Sequence, residues 1–361
     1  MNRELIDKFR EKVNDRDLIW HLYHNKDQRN KWSIICSAMD WIDVVVDEID
    51  VSKLMRQNNN ESSIKIMTFI NCIDILWESI QQLHRVFFST TKIPFSDDES
   101  VFTHKLFVSK DNEYFKTIRA CFSAHPVNLR DNFSGLGEKE NRYASWSGGG
   151  FSFGDFSVIL YSNIAGVDSV FLDIYFDELL SFAEKRYQYL QTIIVEIDRQ
   201  IDNFFLEQKS IRIPKVNDSL EQINILIKEN TKRFNNDYYA YELRRLQIVF
   251  KANIANQKNR QVVDELRSKL SVIVKKFYDN LQKMRLMDID TNNLLDFKIP
   301  DNCRYSFSKL CESVFGEYPF YLVDLDCLQT HLGAVVDLSD CESNYEAYAT
   351  VLAGFCAKQC S

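Results

Sequence analysis

From Phe176 the apolar residues fall at Phe176, Leu180, Ala183, Tyr187, Leu190, Ile194, Ile197, Ile201 and Phe204, in alternating steps of four and three. That spacing holds one stripe on one side of an α-helix for about 45 Å, and a strand, with its period of two, cannot present it. Such a helix is either the seam of a dimeric coiled coil or the spine of a single chain. The additional apolar Leu179, Ile193 and Phe205 widen the stripe beyond a two-stranded seam and favour the spine. Only 10 Gly and 5 Pro interrupt 361 residues, so the other helices should also be long.

Upstream, helical patterns run over about 2–25, 30–57 and 61–88, followed by a polar connection and a fourth pattern over 111–124, the content of a four-helix bundle. In the second of these, Ile34, Ile35, Ala38, Trp41, Ile42 and Val45 form the expected inner stripe. Asp40, Asp43, Asp47 and Asp50 fall opposite as a solvated acidic face, since no facing EXXH pattern offers to complete a cation site. After His125 the period changes to two in "RYASWS", "FGDFSVILYS" and "DSVFLDIYF", which predicts a small antiparallel β insertion at about 141–176. Gly148 to Gly150 read as a hairpin turn, because no GK[ST] follows them. The break "KSIRIPKVND" closes a first domain, 1–210, and a helical C-terminal domain, 211–361, follows. The expected fold class is mostly α: an N-terminal helical bundle with a β insertion, a long heptad helix and a second helical region.

The N-terminus, "MNRELIDKFREKVNDRD", is charged from its third residue and no apolar run approaches the ~18 residues needed to span a bilayer, so the expectation is a cytoplasmic chain without membrane contact. Nine scattered cysteines without a CxxC pair read as reduced thiols. Cys327 with His331 and Cys356 with Cys360 each stand at i, i+4, but structural zinc sites carry shorter repeated spacings, so no metal is expected. There is no HExxH, Walker lysine or GxGxxG, and no cofactor is expected. The net charge of −8 hides a basic segment, Leu243 to Arg285, with eleven Lys or Arg against three acids. Arg244, Arg245 and Lys251 within it are candidate phosphate contacts, although a solvated face paired with acidic neighbours explains the same composition.

The stretch "RACFSAHP" sets Arg119 and His125 six residues apart at a helix end. On an ideal helix they differ by about 240° of rotation and ~9 Å of rise, but Pro126 ends the helix near His125, so the imidazole and the long arginine stem can converge. A guanidinium offsets charge on a scissile phosphate, and a histidine near neutral pKa moves the proton of a ribose 2′-hydroxyl or leaving oxygen. Asn128, Arg130 and Arg142, just beyond, are candidate substrate contacts, and His84 with Arg85 are candidate partners from the preceding long helix. A basic residue and a histidine also serve simply to cap a helix terminus. A protease reading of Cys121 with His125 fails, because one helix supplies neither oxyanion hole nor orienting third group.

An arginine, five intervening residues and a histidine late in a helical bundle resemble the HEPN superfamily, many of whose members are metal-independent ribonucleases of toxin, CRISPR and phage-defence systems. The resemblance implies a homodimer, a cleft where Arg119 binds phosphate and His125 transfers the proton, a single-stranded RNA substrate and a cognate regulatory protein. Active members usually carry a polar residue after the arginine; here it is Ala120. The competing expectation is a noncatalytic helical dimerisation or partner-binding protein.

Overall fold

Leu5, Ile6, Phe9 and Val13 recur at helical spacing and are buried on one face of α1 (Glu4–Asn14). The apolar pattern runs on to about residue 25, but the helix breaks first. In a computed structural model, which describes residues 1–54, 59–124, 128–130, 140–146, 153–289, 294–297, 299–316 and 325–360, Asp17 adopts a φ of 55° after a 3-10 turn over Asp15–Asp17. A short polar side chain tolerates that conformation, and the chain restarts as α2 (Leu18–Tyr23).

α3 (Trp32–Val45) and α4 (Asn59–Phe88) run with opposite polarity: residues 33–41 share a groove with residues 78–82, and the Lys65 ammonium reaches the Lys53 carbonyl at 3.1 Å. The rotation of α3 differs from the expected one. Ile35, Ala38, Met39, Ile42 and Val45 are buried, while Ile34, Trp41 and Val44 face outward at 40%, 52% and 62% exposure. Apolar residues occupy more of this helix's circumference than its neighbours cover, so hydrophobicity alone does not fix which side turns in. Its aspartates are not simply solvated: Asp40 pairs with Arg10 at 3.2 Å, and Asp43 and Asp47 pair with Arg3, the latter at 2.6 Å.

α5 (Asp111–Arg119) passes into a single π-helical turn, Ala120–Ala124. Then β1 (Asn128–Arg130), β2 (Asn141–Trp146), β3 (Phe156–Ser162) and β4 (Val170–Ile174) form an antiparallel meander in that order. Tyr143 pairs with Asn128 on one side and Tyr161 on the other, and Leu160 pairs with Val170. Val158, Leu160, Leu172 and Ile174 are buried at the period of two that marked these strands in the sequence. The sheet begins earlier than residue 141 because β1, too short to show a period, joins its edge. Gly148 to Gly150 lie outside the described residues. Gly154 is required sterically: a Cβ there would sit 2.8 Å from the Asp173 Cβ and 2.9 Å from the Ile174 carbonyl oxygen.

The Asp155 carboxylate accepts the Phe176 N–H at 2.8 Å, at the start of α6 (Phe176–Ser210). Leu179, Ala183, Tyr187, Leu190, Ile193 and Ile197 are fully buried, which makes α6 a spine within its own unit. Leu180 and Ile194 fall at the margin of the buried line, since 3.6 residues per turn drifts from a strict seven-residue repeat. Tyr187 donates to the Asn2 carbonyl at 2.8 Å and accepts the Ile6 N–H at 3.0 Å, fastening α1 to this spine.

On the same helix Arg186 is wholly buried, its guanidinium 3.7 Å from the Phe182 ring centroid and 5.0 Å from that of Phe95. It donates to the Asn112 side-chain oxygen at 2.9 Å and lies 3.5 Å from Asp98, which also accepts from Lys185 at 2.8 Å. Burial depresses the Arg186 guanidinium to about 10.

The chain divides into two compact units, Met1–Ile201 and Asp202–Ser361, with the boundary inside α6. The second comprises the end of α6, then α7 (Ser219–Arg233), α8 (Asp237–Lys251), α9 (Gln257–Gln282), α10 (Arg304–Phe315), α11 (Asp326–Leu332) and α12 (Asn344–Cys360). Asp218, Asn236 and Asn256 cap α7, α8 and α9 by accepting backbone N–H groups in the first turn. α12 buries Tyr348, Ala349, Val351, Leu352, Ala353 and Phe355 around its circumference and is the core helix of this unit. The fold is mostly α with a small antiparallel sheet. Among the described residues, no helix is long and apolar enough to cross a membrane.

Replacing Arg186 with Ala removes the cation that Asp98 and three aromatic rings surround, and should cost about 3 kcal/mol in urea unfolding. Burial raises the Asp98 carboxyl, but hydrogen bonds from Lys185 and Ser100 outweigh it and hold the group below its ordinary range. A depressed carboxyl contributes stability that is present above its unfolded pKa and lost as pH falls through its folded pKa. Asp98→Asn should therefore flatten the loss of stability below about pH 4, measured by urea midpoints across that window.

Candidate functional site

Arg119 closes α5, whose Tyr114, Phe115 and Ile118 are buried against the rest of the bundle. The N–H of Ala120 is shared between the carbonyls of Lys116 and Thr117, and the chain then widens into the π turn. Such turns displace the residues that follow from ordinary helical register and recur at functional sites. Within the turn Cys121 and Phe122 point into the core, and burial pushes the Cys121 thiol up to about 12, so it offers no nucleophile near neutral pH.

The Arg119 guanidinium meets the Asp74 carboxylate of α4 at 2.8 Å, and 43% of the arginine side chain stays accessible. This pair orients the guanidinium and offsets its charge, so an anion arriving there must compete with Asp74. The motif itself does not point to Asp74, although the sequence holds a signal for it. It is the sole charged residue in the apolar run "IMTFINCIDILW" between Lys65 and Glu78.

His125 lies outside the described residues. Asn128 and Arg130, read from sequence as a loop beyond the motif, lie on β1 and pair with β2. Arg142 is a correction: it is buried, with its guanidinium 2.7 Å from Glu140 and donating to the carbonyls of Leu160 and Asp168 at 3.1 Å. These partners hold it inside the sheet, where it has no access to a substrate. His84 accompanies α6 instead, its Nδ1 2.9 Å from the Tyr189 hydroxyl and its ring stacked on Phe88, and burial lowers its pKa. It stands ten residues from Asp74, about 15 Å along α4. Arg85 donates to Gln81 on its own helix. His24 has a structural role, stacked on Trp20 with its Nδ1 2.9 Å from the Trp20 carbonyl at the end of α2.

In the second unit, Arg244 and Lys251 are exposed and, seven residues apart on α8, share a face. Arg245 is the second correction. It is buried, pairs with Glu242 at 3.0 Å and Asp296 at 2.9 Å, and donates to the Leu295 carbonyl. Other arginines of the basic segment serve the backbone: Arg260 donates to the Ile254 carbonyl at 2.8 Å, and Arg267 to those of Val249 and Ala252 at 2.9 and 2.6 Å. Much of the arginine excess thus answers to helix-end carbonyls, and the lysines carry most of what faces solvent. Cys327 sits not with His331, whose ring lies against Phe355, but with Cys303. Among the described residues, no three His, Cys, Asp or Glu side chains are grouped to hold a metal ion.

Comparison with protein-family models, with curated proteins and with solved structures finds no match to this chain. The site therefore stands on its own geometry. A double-mutant cycle of Asp74→Asn and Arg119→Gln in urea unfolding should give a coupling of about 0.5 kcal/mol, as for partly exposed ion pairs. A coupling above about 2 kcal/mol would instead make the pair a desolvated structural bond.

Proposed function

We propose that the N-terminal unit is a noncatalytic helical association module that docks a second copy of the chain through the outer face of α3 and α4. The observation that carries this reading is the outward Trp41, with Ile34 and Val44 on the same side of α3, beside a groove of about 410 Å³. The groove is lined by the small Ser33, Ser37, Ala38 and Ser79 together with Ile34, Trp41, Glu78 and Gln82, so Trp41 forms one of its walls. A large aromatic knob next to a shallow hole on one face is self-complementary, and a two-fold axis through that face would seat each Trp41 in the other copy's groove. Tryptophan is also the side chain most often found to dominate association energies. The aspartates flanking the stripe are engaged by Arg3 and Arg10, which limits the repulsion between two like faces. The Asp74 partner of Arg119 and the apolar Ala120 weigh on the same side, because both reduce what the motif could offer a phosphate.

The endoribonuclease reading keeps one favourable observation: Arg119 is held in place by Asp74 yet remains accessible at a π turn leading to the motif histidine. In that reading, a HEPN-like cleft between two copies would cleave single-stranded RNA without metal, in a toxin or defence setting and under a regulatory partner. Arg244 and Lys251 would then meet phosphates, and both readings suit a cytoplasmic chain.

Both readings expect a dimer, so the Trp41 variant and an RNA assay separate them. In sedimentation equilibrium the wild type should be a dimer, and Trp41→Glu should be a monomer with unchanged helicity, since an exposed side chain is not needed for folding. A wild type that remains monomeric at tens of micromolar removes the association reading. Labelled single-stranded RNA incubated in EDTA should stay intact; cleavage to 2′,3′-cyclic phosphate ends, lost in both Arg119→Ala and His125→Ala, would establish the ribonuclease in its place.

A further inference from the structure

Cys303 ends a 3-10 turn, Asp301–Cys303, that leads into α10, and Cys327 lies in the first turn of α11. Their sulfurs are 3.5 Å apart although 24 positions separate them in the chain. Each thiol is also fixed by a carbonyl of the other's segment: Cys303 Sγ donates to the Cys327 oxygen at 3.4 Å, and Cys327 Sγ to the Asn302 oxygen at 3.0 Å. Cys303 is fully buried and Cys327 is partly exposed. Cys36, Cys72, Cys121, Cys311 and Cys341 have no sulfur partner at such a distance among the described residues.

We propose that Cys303 and Cys327 are a redox-active dithiol, which a hydroperoxide converts to an intramolecular disulfide. A disulfide needs about 2.05 Å between sulfurs, so the pair must close by roughly 1.5 Å, within reach of side-chain rotation. The roles follow from access. Cys327, as thiolate, attacks one peroxide oxygen; an S–O bond forms, the O–O bond breaks, and the other oxygen leaves and takes a proton as water. The Cys303 sulfur then attacks the Cys327 sulfur, forming the S–S bond and breaking S–O, and the hydroxide leaves with the Cys303 proton as a second water. Two thiols lose two electrons and two protons, and hydrogen peroxide becomes two waters. Burial, with Cys327 beside it, pushes the Cys303 thiol up to about 11, which keeps it protonated and suits it to resolve the intermediate rather than to meet peroxide.

The dithiol lies in the second unit and does not depend on the association reading. Full-length protein would be treated with hydrogen peroxide, alkylated with iodoacetamide, digested without reductant and examined by mass spectrometry. The expected result is a peptide pair linked through Cys303 and Cys327, two of the nine thiols lost to alkylation, and both restored by dithiothreitol. Cys303→Ser should leave Cys327 as a sulfenic acid trapped by dimedone, while Cys327→Ser should leave Cys303 fully alkylatable after unfolding; circular dichroism would confirm that each variant is folded. The proposal is overturned if wild-type Cys327 joins a different cysteine or proceeds to the sulfinic acid while Cys303 stays reduced. It is equally overturned if both stay reduced at a dose that oxidises Cys36.

Discussion

One buried cation organises the first unit. Arg186 sits without solvent among Phe182, Phe95 and Trp77, and a guanidinium in such surroundings is tolerable only with its charge answered. Asp98 in the connection from α4 answers the charge and Asn112 on α5 accepts from a second nitrogen, while Nε has no hydrogen-bond partner among the described residues. The polar segment between residues 89 and 110 is thereby tied to the spine helix. Asp111 extends the tie by accepting the Val101 N–H at 2.9 Å and pairing with Lys105 at 2.8 Å. α5 inherits its placement from this node, and with it the position of Arg119 beside Asp74.

What the sequence made legible follows from which forces act locally. The α6 stripe and the alternating strands are periodic, and period is visible without partners. The rotation of α3 is not local: Ile34 and Trp41 are as apolar as Ile35 and Ile42, and only the extent of the neighbouring surface decides which pair is covered. β1 escaped for a related reason, because three residues show no alternation and the strand exists through its ladder with β2.

At the candidate site the misjudged residues were arginines. Charge advertises an arginine as a ligand for anions, yet Arg142 and Arg245 are paired with carboxylates inside the fold. The acid nearest to each in the chain was a usable clue, Glu140 two residues before Arg142 and Glu242 three before Arg245. Asp74 carried a similar clue as a lone charge in an apolar run. The contact between Cys303 and Cys327 had none, because nothing in the intervening residues reports that the starts of α10 and α11 meet.

The arginines that reach from α9 to the end of α8 also bear on how the second unit comes apart. Helix ends ordinarily fray because their last carbonyls turn to water at little cost. Here the carbonyls of Val249, Ala252 and Ile254 are bound by Arg267 and Arg260, which belong to the following helix. The last turn of α8 and the first three turns of α9 therefore open together or not at all, and the turn between them behaves as a clasp within a single cooperative unit of unfolding.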